Sequence, residues 1–208
     1  MSELQIFECA QGTEEWHLAR CGVLTASVFD IALSEPSKVR GTPGGMRGKL
    51  MRKLIGERLT GKPEEGYKNA AMERGNAMEA EARRAYEFIT DERVEQVGFL
   101  RRGDVGCSPD SLNGISGMLE IKTKIPSILL EVWESGVMPA EHRHQVQGQL
   151  WVAQREWCDF VAYWPGLRPF IQRVYRDEAF IARIKIGVED FLDEMTAKSA
   201  RLRELMDV

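Results

Sequence analysis

The run Asn113-Gly114-Ile115-Ser116-Gly117 stands between two segments with the alternating polarity of short strands. An Asn-Gly pair in this position is a strong hairpin signal, because both residues tolerate the backbone angles of a tight turn. The sequence therefore predicts that the segment 107–110 folds back on the segment 119–122. We expect this fold-back to bring Asp110 close to Glu120.

The predicted second strand has one polar face. Residues two apart on a strand share a face, so Glu120 and Lys122 point one way while Leu119 and Ile121 point into a core. Two carboxylates and a lysine on one face suit a site that cuts phosphodiesters. Mg²⁺ binds through one or two carboxylates, waters and phosphate oxygens, and a lysine beside it orients or deprotonates an attacking water. An ordinary hairpin with charges facing water remains the alternative.

A second polar group follows the first predicted helix, which starts after Thr13 as N-cap and ends at Gly22. Arg20 lies in the last turn of this helix, and Thr25 and Ser27 begin the next apolar segment. Free backbone N–H groups, hydroxyls and a guanidinium all donate to phosphate oxygens, so the group predicts a phosphate site. Capping of the next helix is the simpler role for the hydroxyls.

Two helices carry further candidates. Gln145 and Gln149 lie four apart on a predicted helix at 140–154 and share one side of it. Their amides can hold a water or a phosphate at the acidic site, or simply face solvent. Glu79 lies on a predicted helix at 69–88, where its acidic neighbours make a solvated helix charge the simplest interpretation.

Two other segments are candidates for contact with a DNA backbone. The run 34–48 combines glycines and prolines with Lys38, Arg40 and Arg47, which predicts a flexible basic loop or a solvated connector. His142 and His144 have no further ligand at metal-binding spacing. We expect these two histidines at the surface or against DNA.

The order of elements predicts an α/β fold with a central mixed β-sheet flanked by helices, in a single domain over 1–208. The net charge of −4 argues against a protein that coats nucleic acid nonspecifically. The four cysteines lack C-x-x-C spacing, which excludes the common zinc sites and predicts reduced thiols in a cytoplasmic protein. The sequence contains no run of 18 apolar residues and no signal-peptide pattern, so we expect no membrane association.

Four blocks in fixed order resemble the lambda-type phage exonucleases, the YqaJ-like viral recombinase family of the PD-(D/E)xK nuclease superfamily. The first block is Glu15-Trp16-His17 with Arg20 and Gly22 to Ser27, and the second is Gly75-Asn76-Ala77-Met78-Glu79 with Ala82-Arg83. The third is Cys107-Ser108-Pro109-Asp110 with Leu119-Glu120-Ile121-Lys122, and the fourth is Gln145-Val146-Gln147 with Leu150-Trp151-Val152. Their joint order carries the resemblance, which spans about residues 12–191.

The resemblance implies a restriction-endonuclease-like core and a Mg²⁺-dependent nuclease, with Mn²⁺ able to substitute. It implies 5′ to 3′ exonuclease action on one strand of linear double-stranded DNA, starting at DNA ends. The remaining 3′ single strand serves a single-strand annealing protein in phage recombination. The best-known members form ring-shaped trimers, so the resemblance also implies a homotrimer in the cytoplasm of a bacterial host.

The resemblance also assigns roles to residues. Asp110, Glu120 and the backbone carbonyl of Ile121 match the metal ligands. The matched catalytic side chains are Asp110, Glu120, Lys122, Glu79 and Gln145. The matched pocket for the 5′-phosphate of the recessed strand consists of Arg20, Thr25, Ser27 and Ser108.

Two other functions stay open. A PD-(D/E)xK endonuclease or junction resolvase has the same kind of site, since one fold serves many substrates. A non-catalytic protein that binds DNA ends is the alternative from another class, and the intact Asp110, Glu120 and Lys122 argue against it.

Overall fold

The computed structural model describes residues 2–37, 39, 41–64 and 70–207, without the side chains of 43 and 70–76. The helices are α1 (Glu14–Arg20), α2 (Phe29–Ala32), α3 (Pro43–Thr60), α4 (Ala70–Thr90), α5 (Pro126–Ser135), α6 (Arg143–Ala153) and α7 (Glu178–Met206). The strands are β1 (Gln5–Phe7), β2 (Leu24–Thr25), β3 (Phe99–Arg102), β4 (Val105–Cys107), β5 (Ser111–Asn113), β6 (Gly117–Thr123), β7 (Trp157–Tyr163) and β8 (Phe170–Tyr175). Short 3₁₀ turns occur at Ala26–Val28 and Ala140–His142.

The strands form two four-stranded mixed sheets, ordered β1-β3-β4-β2 and β5-β6-β7-β8. The predicted α/β class, with helices flanking mixed sheet structure, is confirmed, but the single central sheet is replaced by two. The chain leaves the first sheet after Cys107 and enters the second at Ser111. Pro109 lies in this link, and a proline has no N–H with which to continue a ladder. The link therefore separates the two sheets.

The predicted hairpin is confirmed. β5 and β6 are antiparallel, with Ser111 opposite Leu119 and Asn113 opposite Gly117. Gly114 adopts a positive φ of 53° in the turn. Leu119 and Ile121 pack into an apolar cluster with α4, as their alternation predicted. Register and alternation together put the even-numbered residues of β6 on the opposite face.

Helix α6 packs against β3, β4 and β7, reaches Glu120 on the other face of the hairpin through Gln145 and Gln149, and is largely buried. Seven of its eleven residues are buried, among them Gln147 and Gln149. Gly148 allows a close approach, because an added Cβ would lie 2.5 Å from Cδ2 of Phe29. A surface position for Gln149 is therefore wrong, since α6 packs on more than its apolar stripe.

The predicted basic loop at 34–48 is partly wrong. α3 already begins at Pro43, where Thr42 caps it by accepting a hydrogen bond from the Gly45 N–H. Arg47 is buried, donates to the Ala32 carbonyl at 2.9 Å and pairs with Glu194 at 2.7 Å. It fastens α3 to α2 and α7 and is not free to contact DNA. Lys38 and Arg40 lie outside the described residues.

The two histidines, predicted at the surface or against DNA, are half-buried. His142 stacks on Phe160 with ring centroids 5.2 Å apart, and burial together with Lys124 and Lys122 lowers its pKa to about 4. His144 packs against Phe180, and burial lowers its pKa too. Both rings pack against apolar partners in the neutral form. Within the described ranges, no helix is long and apolar enough to cross a membrane.

Candidate active site

A cavity of about 180 Å³ is lined by residues of both sheets and of the link between them. It includes eight of the predicted site residues: Arg20, Thr25, Ser27, Ser108, Asp110, Glu120, Lys122 and Gln145. The other lining residues are Gln11, Trp16, Cys107 and Gln149. Residues separated by up to 138 positions thus meet in one small volume, as Gln11 and Gln149 show.

The first group, here called the carboxylate cluster, comprises Asp110, Glu120, Lys122, Gln145 and Gln149. Glu120 is only 2% exposed and accepts from three side chains. Gln145 Nε2 donates to Oε1 at 2.6 Å, Gln149 Nε2 donates to Oε2 at 2.7 Å, and Lys122 Nζ pairs with Oε1 at 2.6 Å. The alternative of a hairpin with charges facing water is therefore wrong for Glu120.

Asp110 is held by the backbone of β6. The Ile121 N–H donates to its Oδ2 at 2.5 Å, and its own N–H donates to the Leu119 carbonyl at 3.0 Å. Burial, followed by the charges of Glu120 and Glu79, raises the pKa of Asp110 well above its ordinary value. Two carboxylates that share a desolvated site favour either a proton or a cation between them.

Lys122 places a positive charge beside the two carboxylates of the cluster. Burial acts to lower the pKa of Lys122, but the carboxylates of Glu120 and Asp110 outweigh it, and the pKa is raised. The lysine is therefore protonated at neutral pH and acts as a hydrogen-bond donor.

Glu79 does not line the cavity but is linked to it. Its carboxylate pairs with Arg83 one turn further along α4. The Arg83 guanidinium also donates to Ser111 Oγ at 2.9 Å and to the Asp110 carbonyl at 3.3 Å. Glu79 is thus engaged beside the site, and the interpretation as a solvated helix charge is wrong. Arg83 had no predicted role, and its spacing of four from Glu79 was the available signal.

The second group, here called the arginine–hydroxyl cluster, comprises Trp16, Arg20, Thr25, Ser27 and Ser108. Ser108 Oγ accepts from Arg20 Nη1 and from Trp16 Nε1, each at 3.0 Å. The guanidinium lies 4.0 Å from the Trp16 ring centroid. The hydroxyls of Thr25 and Ser27 bond each other at 3.1 Å, and Thr25 makes no side-chain cap bond. Capping by Thr25 is therefore wrong.

Arg20 retains its charge in this position. Burial lowers its pKa to about 10, while Cys107 and Glu57 act in the opposite direction. At neutral pH the guanidinium remains protonated. The cluster thus presents one cation and three hydroxyls to the cavity, which is the donor set that phosphate oxygens accept.

The donor set of the carboxylate cluster fits Mg²⁺. Among the described residues, no three or more His, Cys, Asp or Glu side chains form a metal-binding group. Asp110 and Glu120 supply two carboxylates at the cavity, and Gln149 Oε1 is buried without a described hydrogen-bond partner. Mg²⁺ typically takes one or two carboxylates and fills its remaining positions with water and phosphate oxygens. A zinc site would require more protein ligands.

Sequence reasoning missed Gln11, a lining residue that holds the link between the sheets. Gln11 Nε2 donates to the Val97 and Pro109 carbonyls, each at 3.0 Å, which fixes the backbone next to Asp110. No local signal distinguished Gln11. Gln149 was paired with Gln145 by spacing, but its role depends on the burial of α6.

Residues 15–156 match the model of the YqaJ-like viral recombinase domain. The alkaline exonuclease LHK-Exo from Laribacter hongkongensis, also solved in complex with dAMP, is 36% identical, with a TM-score of 0.83 over 94% of this chain and 98% of that chain. A phage-related exonuclease from Haemophilus somnus 129PT is 14% identical and shares the fold, with a TM-score of 0.60 over 85% of this chain and 96% of that chain. A search of curated proteins finds no match.

The chain is thus a nuclease of the lambda-exonuclease type, as the matched domain and the 36%-identical alkaline exonuclease show. It belongs to the YqaJ-like viral recombinase family. The predicted family is confirmed, and the predicted PD-(D/E)xK core agrees with it.

Proposed function

We propose that the protein is a Mg²⁺-dependent 5′ to 3′ exonuclease. It degrades one strand of linear double-stranded DNA and leaves 3′ single-stranded overhangs for annealing. The observation that carries this proposal is the shared cavity of about 180 Å³, which contains both the carboxylate cluster and the arginine–hydroxyl cluster. A phosphate held by one cluster lies within a nucleotide's reach of the other. Cleavage therefore occurs next to a terminal phosphate.

The arginine–hydroxyl cluster binds that phosphate. Arg20 contributes charge and two-pronged geometry, while Thr25, Ser27 and Ser108 donate from hydroxyls. Ser108 already accepts from Arg20 and Trp16, so its own hydroxyl proton is left to donate to a phosphate oxygen. An end that lacks the phosphate leaves these donors without their acceptor.

The carboxylate cluster prepares the hydrolysis. Asp110 and Glu120, with the Ile121 carbonyl, would hold Mg²⁺ or Mn²⁺, which lowers the pKa of a bound water and polarises the phosphoryl oxygen. Gln145 and Gln149 fix the two oxygens of Glu120, so that the carboxylate does not rotate. Lys122 orients the attacking water and donates to the oxygen on which charge develops.

Glu79 takes part through its surroundings. Its negative charge acts on Asp110, and Arg83 ties it to the Asp110 backbone. We place it as the additional acid that orients a water of the metal site. Removing a partner of this kind typically costs about 10-fold to 100-fold in activity or metal affinity.

The relative with 36% identity supports this function. That protein is described as an alkaline exonuclease and in complex with dAMP. A nucleoside 5′-monophosphate is the product class that a 5′ exonuclease releases from DNA, so the same class of product is proposed here.

The remaining parts of the proposal come from the family. We propose that residues 1–208 act as one exonuclease domain, that three copies form a ring, and that a single-strand annealing protein receives the product strand. The proposed place of action is the cytoplasm of a bacterial host of the phage. Light scattering of the purified protein tests the trimer, since monomer mass alone would contradict it.

Digestion of three DNA substrates tests the activity. Linear duplex with a 5′-phosphate, the same duplex with a 5′-hydroxyl, and closed circular duplex are incubated with the protein in Mg²⁺ and in EDTA. We expect nucleotide release from linear duplex in Mg²⁺, faster from the phosphorylated end, and none from the circle. Release that persists in Glu120→Ala or Lys122→Ala would contradict the assigned site.

The same substrates separate the alternatives. Cutting of the closed circle would favour the endonuclease or junction resolvase. Binding of duplex ends without Mg²⁺-dependent turnover would favour the non-catalytic protein. Neither result is expected, because the donors that line the cavity favour binding of a phosphorylated end. These donors belong to Arg20, Thr25, Ser27 and Ser108.

A further inference from the structure

The turn at Gly22 is held by two successive side chains of α3. The Gly22 N–H donates to Glu57 Oε2 at 2.8 Å, and Arg58 Nε donates to the Gly22 carbonyl at 2.7 Å. Both backbone polar groups of a single buried glycine are thus bonded from the same helix. This turn joins Arg20, at the end of α1, to Thr25.

Arg58 reaches a second segment as well. Its Nη2 pairs with Asp104 Oδ1 at 2.8 Å, and the Asp104 carbonyl accepts from the Leu24 N–H at 2.9 Å. Asp104 directly precedes β4, which leads to Ser108 and pairs with β2 in parallel. Arg58 therefore joins the segment that carries Arg20 to the segment that carries Ser108.

The contact with Gly22 is close. Gly22 has a φ of +68°, and an added Cβ would lie 2.5 Å from Cγ of Arg58. The aliphatic stem of Arg58 thus occupies the space where any other residue would have its side chain. The position of the turn is fixed by packing in addition to its two hydrogen bonds.

Glu57 is buried at the Gly22 turn, which it bonds. It is 6% exposed, and its second oxygen accepts from the Glu64 N–H at 3.0 Å. Its charge also acts on Arg20, where it opposes the effect of burial on the pKa. The negative charge of Glu57 therefore favours the charged form of the Arg20 guanidinium, in addition to bonding the Gly22 turn.

We propose that Glu57 and Arg58 are positioning residues that set the preference for 5′-phosphorylated ends without touching DNA. They fix the Gly22 turn, and so the spacing of Arg20, the Thr25 hydroxyl and Ser108 around one phosphate. This inference rests on the proposed function and adds two residues of α3 to it.

The test compares matched duplexes that differ only in a 5′-phosphate or a 5′-hydroxyl. kcat and KM are measured for wild type, Arg58→Ala, Arg58→Lys and Glu57→Gln. Arg58→Lys keeps the charge and most of the stem but lacks the planar fork that bonds both Gly22 and Asp104. Arg52→Ala removes a charge from an exposed position of the same helix and is the matched control.

We expect the ratio of kcat/KM for the phosphorylated end to that for the hydroxyl end to fall roughly tenfold in both Arg58 variants, the scale of a lost charge-assisted contact. The ratio falls severalfold in Glu57→Gln and is unchanged in Arg52→Ala. The hydroxyl-ended duplex is cut at a nearly constant rate throughout, because a misplaced phosphate pocket does not affect it. A variant that merely loses stability would lower both rates together.

Two results would overturn the inference. If wild type prefers the phosphorylated end and the folded Arg58→Lys and Glu57→Gln proteins keep the full ratio, Glu57 and Arg58 do not position the pocket. If wild type itself shows no preference, the proposed 5′-phosphate pocket is wrong, and the inference falls with it. Thermal melting of each variant establishes which proteins are folded.

Discussion

The carboxylate cluster and the arginine–hydroxyl cluster line one cavity, yet they are built in opposite ways. In the carboxylate cluster, three side chains bond a Glu120 that is buried. In the arginine–hydroxyl cluster, Ser27 is exposed, and its described side-chain bond is to the hydroxyl of Thr25. In the carboxylate cluster, both oxygens of Glu120 are already bonded before any ligand arrives. In the arginine–hydroxyl cluster, hydroxyl groups keep protons available to donate to a ligand.

The difference indicates a division of labour. Metal chemistry requires fixed oxygen ligands, because small displacements of the reacting groups cost large factors in rate. Recognition of a terminal phosphate requires free donors that face one anion. Substitutions in the carboxylate cluster should therefore lower turnover on every substrate alike, while those in the arginine–hydroxyl cluster should change which ends are preferred.

The largest expected effect is that of Glu120→Gln. It removes one of two carboxylates and places an amide against the donors of Gln145 and Gln149. We expect kcat to fall at least about 1000-fold on phosphorylated and hydroxyl ends alike. Single-turnover assays on both duplexes measure this. A loss of activity on only one kind of end would contradict the proposed division between chemistry in one cluster and end recognition in the other.

Gln149→Leu should have the next largest effect. The change keeps the volume but removes the donor that fixes Glu120 Oε2 and the buried oxygen without a described partner. We expect activity to fall roughly 10-fold to 100-fold, with a higher Mg²⁺ concentration for half-maximal rate. A Mg²⁺ titration of wild type and variant measures it. If Gln149→Leu shows the same Mg²⁺ dependence as wild type, Gln149 does not hold the metal ligand Glu120 in place.

Arg20→Lys tests the other cluster. A lysine keeps the charge but cannot present the planar fork to phosphate and Ser108 together. We expect the preference for the phosphorylated end to fall roughly tenfold while the hydroxyl-ended duplex is cut as before. Competition between the two duplexes in one tube measures the preference. Equal losses on both ends would assign Arg20 to the chemistry instead.

The smallest expected effect concerns the stability of the metal-free protein. The pKa of Asp110 is raised above its usual value of about 3.9, so the folded state binds more protons than the unfolded state between these two pKa values. The free energy of unfolding therefore falls as the pH rises through that window. Asp110→Asn should remove this slope and raise Tm by a few degrees in EDTA, at roughly 2–4 °C per kcal/mol.

Calorimetry in EDTA at several pH values measures the slope. Added Mg²⁺ is expected to narrow the difference in Tm between wild type and Asp110→Asn. Equal pH dependence in both proteins would show that Asp110 is not the carboxyl whose pKa is raised in the folded state. The same variant is expected to lack activity, so stability and turnover should change in opposite directions.

Local patterns were sufficient to predict part of the site. The turn at Gly114 and the alternation in β6 placed Asp110, Glu120 and Lys122 together, because register and strand periodicity depend on neighbours in sequence. Site residues whose positions depend on such short-range geometry can be predicted from the sequence.

Burial could not be predicted in this way. The stacking of His142 on Phe160 and the pairing of Arg47 with Glu194 involve elements far apart in sequence. Whether Glu79 faced solvent likewise depended on how α4 packs beside the hairpin. Long-range packing decides the partners of charged and aromatic side chains, and a single sequence contains no periodic signal for it.

The central claim is that hydrolysis and end recognition share one cavity, and the first product of digestion tests it most directly. A linear duplex labelled at a single 5′-phosphate is digested in Mg²⁺ for less than one turnover, and the labelled product is sized. Our account predicts a labelled nucleoside 5′-monophosphate from the very first cut. A labelled product many nucleotides long, or release that begins from a 3′ end, would contradict it.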